Sequence, residues 1–92
     1  MIASKISSLL TSTLKATYVK VEDESAFHAG HAGSASGGET HFAVVVVSAM
    51  FEGKTLVERH RAVYGALQEL LEGPVHALRL KTFTPGEWKQ GL

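Results

Sequence analysis

The chain has 92 residues, 45% of them hydrophobic, with two prolines, no cysteine, and nine basic against nine acidic residues that cancel to zero net charge. This bounds it to one small globular domain over residues 1–92 and excludes a disulfide framework or a thiolate metal site built from this chain alone; no overall positive field draws it to nucleic acid. The longest apolar run, FAVVVV, is far too short to span a bilayer, and the amino terminus lacks the basic and hydrophobic blocks of a targeting peptide. The expected setting is therefore soluble and cytoplasmic, or an organelle matrix if a targeting peptide has been removed.

Ile6, Leu9, Leu10 and Leu14 recur at helical spacing, and Ser4 stands where a cap would start that helix. TYVKVEDE follows with strand alternation, Val19 and Val21 facing in and Tyr18, Lys20 and Glu22 facing out, and its acidic end reads as solvated. Ser25 to Gly38 then forms a stretch longer than the roughly 12 to 15 residues above which a loop usually has a function. THFAVVVVS is β-branched and apolar on both faces, which suits a central strand ending at Ser48.

After a turn at FEGK, Thr55 and Glu58 make a capping-box pattern ahead of one long helix carrying Leu56, His60, Val63, Tyr64, Leu67, Leu70 and Leu71. Gly73 and Pro74 end it. VHALRLKTF is the last strand, with Leu78 and Leu80 inward and Arg79 and Lys81 outward, and TPGEW turns the chain toward its end. A strand, helix, strand crossover implies that the second and third strands run parallel, the first two form a long-looped hairpin, and both helices cover one face.

Three of the five histidines, His28, His31 and His41, fall in or beside the segment HAGHAGSASGGETH, which is too poor in large apolar residues to build a core. His28 and His31 are spaced to approach a metal. With His41 they would make a histidine-only zinc module, although nothing in the sequence fixes that spacing. His60 lies within the apolar stripe of the long helix, where it reads as a hydrogen-bonded core histidine. Its place near a helix start also favours the neutral imidazole that binds metal. His41 and His76 open strands and default to structural roles.

GHAG matches a KH phosphate-clamping loop in letters, but it lies between strands where that loop joins helices. No Ser, His and Asp arrangement or carboxylate pair has a catalytic context, so no enzyme is expected.

Taken together, VEDES, HAGH, GGETHF, FEGKTLVERHRAVY, VHALRLKT and TPGEW closely resemble the BolA family along nearly the whole chain. The resemblance implies an α+β, KH-like αββαβ fold with a three-stranded mixed sheet. It also implies partnership with monothiol CGFS-type glutaredoxins, in which a two-iron two-sulfur cluster is shared with glutaredoxin and glutathione thiolates. On that resemblance the nitrogen ligands here are His60, in RHR, and either His28 or His31, with His28 preferred by register. Relatives with cysteine in the loop differ from this chain, whose cluster should be more Rieske-like in potential. The isolated chain is expected to be a monomer holding no cluster. The alternative reading is a DNA-binding regulator using Lys54, Arg59, Arg61, Arg79 and Lys81, with weak binding given the neutral charge.

Overall fold

The computed structural model describes residues 2–24 and 41–89. In chain order the elements are α1 (Ile2–Leu14), β1 (Tyr18–Asp23), β2 (His41–Val47), a 3-10 turn (Ala49–Phe51), α2 (Leu56–Ala66), α3 (Gln68–Glu72), β3 (Ala77–Phe83) and α4 (Pro85–Lys89). The sheet order is β1-β2-β3. β1 pairs antiparallel with β2, from Tyr18 opposite Val47 to Asp23 opposite Phe42. β2 pairs parallel with β3, from His41 opposite Ala77 to Val47 opposite Phe83. This is the expected mixed sheet with the Val-rich strand in the centre.

α1 begins at Ile2, so Ser4 lies inside the first turn and is not its cap. Ile6, Leu10 and Leu14 are buried, and Leu9 packs at their margin. The helix stops at Lys15, which takes a left-handed φ of 54°. The buried Ser48 hydroxyl, at the end of β2, donates to the Leu14 carbonyl at 2.6 Å and accepts from the Met50 amide at 3.0 Å. One side chain thus satisfies the end of α1 and the start of the 3-10 turn.

The capping box at Thr55 is formed in both directions: the Glu58 amide donates to Thr55 Oγ1 at 3.2 Å, and the Thr55 amide donates to Glu58 Oε1 at 2.9 Å. The single long helix expected after it is two. Leu67 leaves helical geometry at φ −107°, ψ 15°, and α3 begins immediately beyond it. Its amide is shared between the Val63 and Tyr64 carbonyls, a tightened turn that still buries both Leu67 and Leu70 against Val75.

The buried stripe of α2 is also displaced from the expected one. Leu56 is 64% exposed and Tyr64 41%, while Arg59 and Val63 are buried.

TPGEW is a helix in its own right, α4, with a second capping box between Thr84 and Glu87. Trp88 projects from it onto the sheet face opposite the main core, stacking on Tyr18 at 5.1 Å and tilting against Phe83 at 5.4 Å. Val47 is buried although it belongs to no part of the helix-covered cluster. The helices α1, α2 and α3 therefore occupy one face as expected, and an aromatic cap closes one end of the other. Among the described residues no helix is long and apolar enough to cross a membrane.

Candidate functional site: an imidazole edge of the sheet

One edge of the sheet collects the groups with coordination chemistry. The chain leaves β1 at Glu24 and rejoins the sheet at His41, and the Glu24 amide donates to the His41 carbonyl at 2.7 Å. β3 starts at the same edge because its parallel register sets Ala77 beside His41. His76 immediately precedes it and is exposed, and its ring meets the half-buried His41 ring edge to face at a centroid distance of 6.3 Å.

The edge is clasped from strand to strand. Arg79 Nε and Nη2 donate to Glu24 Oε1 and Oε2 at 2.9 and 2.6 Å. This fork crosses β2 at Ala43, the register partner of Arg79, where there is no bulk to obstruct it. The contact raises the Arg79 pKa above its ordinary value, chiefly through the hydrogen bonds to Glu24. The strand end read as solvated therefore supplies a carboxylate that fixes the geometry around His41 and His76.

The residues named from sequence are distributed differently. His28 and His31 lie outside the described residues. His60 is half-buried, and among the described residues its ring makes no hydrogen bond or ion pair, so it is not a hydrogen-bonded core histidine. Its neighbour Arg59 donates to the Thr82 carbonyl at 3.4 Å, about 20 Å along β3 from His76 at strand rise. His60 thus belongs to the half of α2 remote from the imidazole edge. His41 and His76, assigned structural roles from sequence, are the pair the fold brings together. The available signal was the parallel register of β2 and β3, which sets the residues opening those strands side by side.

The cations of the nucleic-acid reading do not form one surface. Arg59 is buried, and its guanidinium is spent on Glu87 at 2.8 and 3.3 Å, on the Lys54 carbonyl at 3.0 Å, and over the Phe51 ring at 5.9 Å. Lys54 and Arg61 are exposed at the α2 side of the molecule, whereas Arg79 and Lys81 project from the other face of the sheet. Arg79 is already held by Glu24.

Strand order, helix placement and this edge define a KH-like αββαβ protein. The chain belongs to the BolA-like protein family, whose model matches residues 10–87. It is 43% identical to BolA-like protein 1 of Mus musculus over 97% of this chain and 62% of that protein, so it spans about three-fifths of that relative's length. It is 42% identical to the Escherichia coli (strain K12) protein named DNA-binding transcriptional regulator BolA, over 97% of this chain and 81% of that one. Among solved structures, the BolA domain of SufE1 from Arabidopsis thaliana matches with a TM-score of 0.81 and 42% identity, covering 92% of this chain and 93% of that one. The solution structure of BolA1 from Mus musculus matches with a TM-score of 0.80 and 43% identity, covering 97% and 69%.

Proposed function

We propose that this chain is a non-catalytic partner of monothiol CGFS-type glutaredoxins and co-ligates a two-iron two-sulfur cluster, in cluster trafficking or iron regulation. The supporting observation is the imidazole edge: an exposed His76 beside His41, on a chain without a single thiol. The donor set suits the group, since imidazole replaces thiolate on one iron of Rieske-type centres. The thiolates come from glutaredoxin and glutathione in this reading.

The ligand set that the family resemblance implies is His60 with His28 or His31. The geometry favours His76 over His60, because His76 stands at the edge where residues 25–40 leave and rejoin the sheet. Anaerobic mixing with a monothiol glutaredoxin, glutathione, iron and sulfide tests the reading. A heterodimer whose visible absorption differs from that of glutaredoxin alone is expected, and His76→Ala should abolish the difference while His60→Ala keeps it. Unchanged glutaredoxin spectra in the presence of the chain would sink the proposal.

A DNA-binding regulator is the second reading, favoured by the name of the Escherichia coli relative. The division of the cations between two sides of the molecule weighs against it.

A further inference from the structure

We propose that the open face of the sheet carries a binding site for a small phosphomonoester with a planar body, built across the three strands and independent of the cluster-sharing reading. Phe42, Val44 and Val46 turn into the core, so Ala43, Val45 and Val47 line the opposite face of β2. Register sets three rows across that face: Glu22, Ala43 and Arg79; Lys20, Val45 and Lys81; Tyr18, Val47 and Phe83. The first two rows line a depression of about 510 Å3 whose floor is Ala43 and Val45.

Its charge is arranged for one anionic group. Lys20 and Lys81 stand on opposite sides of Val45, about 10 Å apart at their Cα atoms, so both ammonium groups reach one point above it. Among the described residues Lys81 makes no hydrogen bond or ion pair. Lys20 holds Glu22 at 3.8 Å with both side chains more than half exposed, a contact worth little and readily exchanged. Two ammonium groups match the nearly double negative charge of a phosphomonoester better than the single charge of a carboxylate.

The neighbouring row supplies a flat wall. The Arg79 side chain is 75% exposed, yet its fork onto Glu24 fixes the guanidinium plane and leaves a face open to stack on a planar ring. Glu22, at the other side of this row, repels a second anion and so keeps the charged group on the lysine row. One row beyond the lysines, the Tyr18–Trp88 stack closes that end, with ring centroids 5.1 Å apart. A depression closed at both ends, by the aromatic stack and by the Arg79–Glu24 clasp, admits one ring with its phosphate and not a continuous strand of chain.

Phenyl phosphate, titrated into the intact chain and followed by amide NMR, tests the site. The shifts should centre on Ala43, Val45, Arg79 and Lys81 and saturate, with an affinity about tenfold or more above that of inorganic phosphate or benzoate. Lys20→Gln and Lys81→Gln should each weaken binding about tenfold, and Lys81→Arg by less. Arg79→Gln should bring phenyl phosphate down toward the affinity of inorganic phosphate. All three side chains are exposed, so the amide spectrum away from this face should not change in the variants.

The proposal is overturned if these shifts do not saturate, if either glutamine variant at a lysine keeps full affinity, or if the shifts gather at His41 and His76 instead. Benzoate binding as tightly as phenyl phosphate overturns the choice of a phosphomonoester. Tighter binding of a phosphotyrosine peptide than of phenyl phosphate overturns the assignment to a small molecule.

Discussion

Ser48 holds two polar groups of its neighbours while wholly buried, so its hydroxyl is worth more than its size suggests. Ser48→Ala leaves the Leu14 carbonyl and the Met50 amide without this partner, and a loss of about 1–3 kcal/mol is expected in denaturant unfolding. Lys15 presents the opposite case. Its φ of 54° is costly for a residue with a Cβ, and glycine takes it freely. Lys15→Gly should therefore raise stability by about 1 kcal/mol, measured in the same way; an unchanged midpoint would mean that the gain is cancelled in the unfolded chain. Residue-scale chemistry was only partly legible. The identity of the histidines could be read directly, but their neighbours depend on strand register, which paired His41 with His76 and left His60 elsewhere.

At the scale of elements, the same local signal was read once and missed once. Thr55 and Glu58 announced a helix start because a long apolar pattern followed them. Thr84 and Glu87 carry the same spacing with a proline at the first helical position, but the five-residue α4 has no periodicity to reinforce it. The central strand was legible because six consecutive apolar residues with no charge suit a strand with neighbours on each side, and the sheet directions because a strand, helix, strand crossover sets its two strands parallel. The break at Leu67 was not, since the apolar spacing runs straight through it.

Thr55→Ala should cost about 1 kcal/mol by thermal or denaturant unfolding. The second box also predicts a pH dependence. Arg59 bonds the Glu87 carboxylate and, with the Thr84 amide, lowers its pKa below the ordinary carboxylate value. A depressed carboxylate stabilises the fold fully above the unfolded-state pKa, and that contribution is lost as pH falls through the folded-state value. Acid titration of stability should therefore show less dependence in Glu87→Gln than in the unsubstituted chain over that acidic window, and equal slopes would contradict the assignment.

The whole molecule combines zero formal charge with a sharp division of its cations, and this division sets its behaviour toward nucleic acid. Composition alone predicted weak binding. The structure supplies the reason: Arg59 is buried in an ion pair, Lys54 and Arg61 lie on the helix side, and Lys20, Arg79 and Lys81 lie on the open face of the sheet. On that open face Lys20 and Arg79 already have acidic partners in Glu22 and Glu24. A duplex docked on the open face would meet about two or three phosphates through Lys20, Arg79 and Lys81, so log K should fall against log salt with a slope of only about −2 to −3. Fluorescence anisotropy across a salt series, with scrambled and unscrambled duplexes, measures both slope and selectivity. Shallow dependence, weak affinity and equal binding of the two duplexes are expected. Nanomolar, sequence-selective binding at physiological salt would contradict this reading of the cations, all nine of which lie in the described residues, and it would move the regulator reading ahead of the cluster-sharing one.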